Sequence, residues 1–86
     1  MGRLDLAVPL LTEAVTLATG AGLRYDEAVA RAALAELRGT RREPEAALEE
    51  ARRALALFTD LGVPETEDQK VRVAELEEWP AAVVGG

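Results

Sequence analysis

Residues Leu34–Leu55 read LAELRGTRREPEAALEEARRAL, two helix-forming stretches divided by a short break. Leu34, Ala35 and Leu37 set apolar residues at helical spacing before the break, and Ala47, Leu48, Ala51, Ala54 and Leu55 do so after it. Gly39 reads as a helix stop, and Pro44 suits the first turn of a new helix, where its missing amide has no partner to lose. Glu45, Glu49 and Glu50 then precede Arg52 and Arg53, an order that complements the helix dipole. The stretch is a helical hairpin.

Outward from it, the same punctuation recurs. Breaks at Gly20–Gly22, Gly39–Pro44 and Gly62–Pro64 divide the chain into four stretches, expected as helices at about 5–19, 24–38, 44–61 and 67–79. In the first, Asp5 is the expected N-cap and Pro9 places the regular helix, or a bend, near itself. In the second, Glu27 and Arg31 stand four apart in the favourable order. In the fourth, Thr66 and Gln69 have the spacing of a capping box, and Pro80 is the expected stop. These readings give one domain over 1–80 and a flexible tail over 81–86.

Composition agrees with an all-α fold. Ala, Leu, Glu and Arg dominate, and all are strong helix formers. The 86 residues allow a thin core only, because a domain this small buries roughly 60–65% of its unfolded surface. There is no cysteine and no histidine, which removes disulfides, thiolate metal sites and the commonest general base. No cofactor and no enzyme activity are expected. The carboxylate pairs Glu49–Glu50, Glu67–Asp68 and Glu77–Glu78 are neighbours on helices, so they point apart into solvent rather than share one site.

The formal net charge is −6, and it is uneven: residues 1–42 carry six basic and five acidic groups, residues 43–86 four and eleven. Such a balance disfavours contact with phosphate backbones or anionic membranes. The opening residues lack the pattern of a secretory signal, and no apolar run spans a bilayer, so a cytoplasmic location is the expectation. Arginine outnumbers lysine nine to one in an alanine-rich chain, as in GC-rich bacterial genomes.

A shift of forty residues superposes the first stretch on the third: Ala7 on Ala47, Ala14 on Ala54, Leu17 on Leu57, Gly22 on Gly62. A two-helix unit repeated at this period is the mark of a helical solenoid. On these residues the chain resembles the tetratricopeptide repeat family. Leu34 and Ala35 match the family's large–small pair, Ala47 its first close-approach residue, and Ala54 with Leu55 its second. The chain departs from the family at Arg31 and Arg38, where aromatics are usual, at Arg42, where a glycine or turn residue is usual, at Ala51, and at Thr59, where the closing proline is missing. The longer second helix, running through FTDLGVP, resembles degenerate repeats at the C-terminal ends of large bacterial transcription regulators.

The resemblance implies two antiparallel hairpins stacked as a short α-solenoid, and a module that binds a protein partner or other domains of a parent chain. Its groove would be lined by Val29, Ala32, Ala33 and Glu36 and, forty residues on, by Gln69, Arg72, Val73 and Leu76. The lysines and asparagines of a carboxylate clamp are absent from these places. Two alternatives stand beside this reading. One is a self-associating domain or homodimer built on Leu6, Leu10 and Leu11, since about two repeats leave a solenoid core open. The other is a helical domain that binds a small effector. Arg38, Arg41 and Arg42 form a basic cluster at a turn, read as solvated or as a grip for a phosphate or an acidic partner, and Trp79 reads as a cap over the core or as an exposed anchor for a partner.

Overall fold

The computed structural model describes the backbone of residues 2–85 and the side chains of residues 6–78. That backbone is all-helical: α1 (Gly2–Ala21), α2 (Arg24–Thr40), α3 (Pro44–Leu61) and α4 (Glu65–Gly85). Each helix packs on the next in chain order, giving a helical repeat-like slab 43 × 33 × 15 Å.

The three turns are one device used three times. α1 closes with Leu23 N–H donating to Ala18 O and Gly22 N–H to Thr19 O. α3 closes with Val63 N–H to Phe58 O and Gly62 N–H to Thr59 O, the same bonds forty residues later. α2 closes midway between them, with Glu43 N–H to Arg38 O and Arg42 N–H to Gly39 O. This paired bond at a helix end needs a left-handed residue. Gly22 (φ 73°), Arg42 (φ 60°) and Gly62 (φ 68°) supply it. Gly39 is therefore not the stop that the sequence suggested. It stays helical, and Arg42, which bears a Cβ, takes the strained conformation.

Other boundaries also move. α1 begins at Gly2, so Asp5 lies inside the helix rather than capping it, and Pro9 is taken up within. α4 runs through Pro80 to Gly85, where a stop and a loose tail were expected. A proline removes one helical hydrogen bond, and here Glu77, Glu78, Ala81 and Ala82, all helix formers, carry the helix across it. The capping box is absent. α4 opens with Thr66 N–H to Val63 O and Glu67 N–H to Pro64 O, Thr66 Oγ1 is buried without a partner, and Gln69 turns its amide inward. The expected role of Trp79 lies outside the described side chains.

The core is built from small side chains. Ala28, Ala47, Ala51 and Ala54 are each 0% exposed, and among the described residues no large side chain is buried to that degree. Each methyl contributes only about 0.8 kcal/mol through burial. Their absence of bulk is what matters, because it lets α3 sit tightly against α2 and gain dispersion contacts along its length. Phe58 adds bulk to this core, packed with Ala28 and Ala54 and edge-on to Tyr25 at 6.2 Å.

Polar ties pin the same seam. Arg31 donates from Nε to Glu27 at 2.8 Å and from Nη1 to Glu50 on α3 at 2.9 Å. Burial alone would lower its pKa, but the two carboxylates outweigh that and raise it. Near the turns, Arg24 pairs with Asp60 at 2.6 Å, and the Tyr25 hydroxyl donates to Glu65.

Candidate functional site

Beyond Ala32, α2 presents almost no bulk on the side that faces α4. Ala32, Ala35 and Gly39 leave a groove of about 690 Å³ between the two helices. α4 forms the opposite wall with Gln69, Arg72, Leu76 and the acids Glu75 and Glu78. Alanines and Leu76 make its apolar surface, and charge collects at the rim. Glu36 and Arg72 reach across from opposite walls and pair at 3.0 Å, each more than half exposed. A pair so exposed is worth at most about 1 kcal/mol, so an incoming ligand can displace it at small cost.

The groove has a fixed wall beneath it. Gln69 is only 6% exposed, and its Nε2 donates to Ala51 O at 3.2 Å, locking α4 to α3. Val73 is buried beside Ala35 and Ala51, with Leu48, Leu55 and Leu76 around them.

Of the eight residues placed at a groove by sequence register, Ala32, Glu36, Gln69, Arg72 and Leu76 line this one. Val29 is exposed and Ala33 half-buried, and neither lines it. Val73 is core and Gln69 shows only its edge, so neither offers a free side chain to a ligand. For the burial of Gln69 and Val73 the cause is a register slip. Ala30 and Leu34 of α2 face α1, and their counterparts facing α3 are Gln69 and Val73 of α4. That correspondence is thirty-nine residues, not forty. The tighter i to i−3 bonds at the start of α4, against the i to i−4 bond from Glu27 to Leu23 in α2, turn its face relative to α2. Ala35, Gly39, Thr40, Glu75 and Glu78 were not foreseen, although the first three lie one turn or less from Ala32 and Glu36.

Comparison with family models, curated proteins and solved structures finds no match. The site has to be read from its own geometry.

The remaining candidates divide. Leu6 and Leu10 are 66% and 65% exposed on the side of α1 turned from α2, and Leu17 joins them at 66%. Leu11 instead packs inward against Val15, Ala30 and Leu34, so it does not belong to that surface. A helix turns 100° per residue, which puts Leu6, Leu10 and Leu17 in one stripe and Leu11 on the far side. The basic cluster at the second turn is partly neutralised: Glu43 accepts from Arg38 at 3.0 Å and lies 3.8 Å from Arg41. At least one member of each acidic pair meets its own cation: Glu49 meets Arg53, Glu50 meets Arg31, Glu77 meets Arg52 and Glu67 meets Lys70. Among the described residues no cluster of potential metal ligands occurs, and no helix is long and apolar enough to cross a membrane.

Proposed function

We propose that this chain is a tetratricopeptide-like interaction module that takes a peptide segment of a protein partner into the groove between α2 and α4, and that it does no catalysis. The observation that carries the reading is the groove itself: an open trough with an apolar bottom of alanines and Leu76 and an ionic rim bridged by the Glu36–Arg72 pair. A trough without convergent polar groups suits an extended or helical peptide better than a small polar substrate. Two features of the backbone lend support to the family resemblance. Ala47 and Ala54, at the family's close-approach places, are fully buried between helices. Arg42, where the family usually has a glycine, is left-handed. The longer α3, closed at Gly62, fits a repeat from a larger bacterial regulatory protein of cytoplasmic type, with the partner supplied by another protein or by another domain of that parent.

The test is selection from a displayed library of random twelve-residue peptides, followed by fluorescence anisotropy with the enriched sequences. Thr40→Trp fills the groove from an exposed position. Selected peptides are expected to bind the unaltered chain and to lose at least about tenfold affinity for T40W, a difference of roughly 1.4 kcal/mol. Peptides that bind both chains equally, or a library that enriches nothing, would defeat the reading.

A further inference from the structure

The open leucine stripe of α1 has a covered counterpart inside the same molecule. α3 holds α2 with the side that carries Glu50, Ala54 and Leu57: Glu50 accepts from Arg31, and Ala54 and Leu57 pack with Ala28 and Ala32. Forty residues earlier, the same side of α1 carries Leu10, Ala14 and Leu17. There the two leucines stand about two-thirds exposed, at 65% and 66%. One side of one repeat unit is thus covered once and bare once. Exposed Glu13 lies within this leucine stripe, so the bare side of α1 is apolar with one carboxylate in it.

The kind of element that belongs on the bare side is visible in the covered case: a helix of α2 type, presenting Ala28, Arg31, Ala32 and Ala35 to α3. The chain owns a second helix of that type. In the thirty-nine-residue register that the buried faces obey, α4 presents Glu67, Lys70, Val71 and Ala74 at the same four places. All four are exposed, Val71 at 56%. Ala74 keeps the small residue at closest approach, Val71 adds apolar surface, and Lys70 stands where Arg31 does, with a methylene stem that can lie on Leu10.

We propose that a second copy of this chain covers the stripe, its α4 seated on α1 of its neighbour, so that the α2–α3 contact is repeated between molecules. The association is head-to-tail, and because α1 and α4 are different surfaces it does not close on itself as a two-fold dimer would. The stripe from Leu6 to Leu17 rises only about 16 Å, below the extent of a standard interface of about 800 Å² per partner, so the contact is weak and concentration-dependent. It is independent of the groove reading, since T40W leaves both surfaces intact.

Sedimentation velocity of the full 86-residue chain from roughly micromolar to roughly millimolar concentration tests it. The unaltered chain is expected to rise in average mass past that of a dimer. Leu10→Lys and Ala74→Lys each change an exposed side chain, and each is expected to sediment as a monomer with unchanged circular dichroism. An equimolar mixture of the two keeps one intact α1 face and one intact α4 face, and is expected to form a heterodimer and nothing larger. Leu17→Ser and Val71→Glu replace either variant that fails to fold. A monomer at every concentration would overturn the proposal. So would an A74K chain that still dimerises, which would mean stripe-to-stripe pairing, or a mixture that stays monomeric.

Discussion

α1 and α3 occupy equivalent places in the repeat and end on the same pair of backbone hydrogen bonds, yet they are lined with different side chains. α3 has a neighbour on each side, and at its tightest places it carries Ala47, Ala51 and Ala54, all at 0% exposure. α1 has α2 on one side only, and the places equivalent to Ala47, Ala51 and Ala54 hold Ala7, Leu11 and Ala14, none of them fully buried. A helix flanked twice has to be slim, because side chains of ordinary size would hold its neighbours apart. A helix flanked once can carry leucines on the bare side. Burial in this protein is therefore limited by thickness between axes rather than by hydrophobic content.

The most direct way to break that comparison is to insert the same bulk at matched places. Ala54→Leu is expected to destabilise the fold by about 1–3 kcal/mol, the usual cost of overpacking a filled core. Ala14→Leu, forty residues earlier at a half-buried position that packs against Val15, Ala30 and Leu34 on one side only, is expected to cost less, under about 1 kcal/mol. Urea denaturation followed by circular dichroism measures both. Equal losses would mean that the two helices are not in different environments after all.

A smaller effect, of opposite sign, sharpens the likeness of the turns. Arg42→Gly relieves a left-handed residue at the one turn of three that lacks glycine, and is expected to stabilise by about 0.5–1 kcal/mol in the same titration. A loss of stability would show that the Arg42 side chain contributes more than its backbone costs.

The smallest effect concerns pH. The hydrogen bond from Tyr25 lowers the pKa of Glu65 below its ordinary 4.5, and the same bond raises that of Tyr25 above its ordinary 10.0. A lowered carboxylate adds stability that is present above its unfolded pKa and fades as pH falls through the folded value. A raised phenol adds stability that is present below its unfolded pKa and fades as pH rises through the folded value. The bond between α2 and α4 thus acts over the span from 4.5 to 10.0. Thermal melts of Tyr25→Phe across pH are expected to flatten at both edges while matching the parent at the extremes. Unchanged edges would assign the pH dependence to other groups.

The four helices were legible in the sequence because long runs of helix formers lie between glycine- or proline-marked breaks. The Glu27–Arg31 pair, Pro44 in the first turn of α3 and Gly62 at its end all stand where local chemistry puts them. What misled the reading was interaction beyond the local turn. Thr66 and Gln69 have cap spacing, but Gln69 is drawn inward by Ala51 O across the α3–α4 seam, which no local pattern encodes. Gly39 has the residue type of a stop, yet the chain turns at Arg42. On α4 the register placed Val73 on the groove and the structure places it in the core, because a period read from matched letters in α1 and α3 does not track the small rotation between α2 and α4.

The three left-handed residues that close α1, α2 and α3 with the same pair of bonds fall at Gly22, Arg42 and Gly62, evenly spaced along the chain. The segment between the outer two, residues 23–62, is consequently a cassette with matching ends. Splicing another copy in after Gly62 adds two helices without creating a new kind of joint, and deleting it removes two. Growth and shrinkage of this protein by whole units, in a gene or on a design bench, need only respect that spacing.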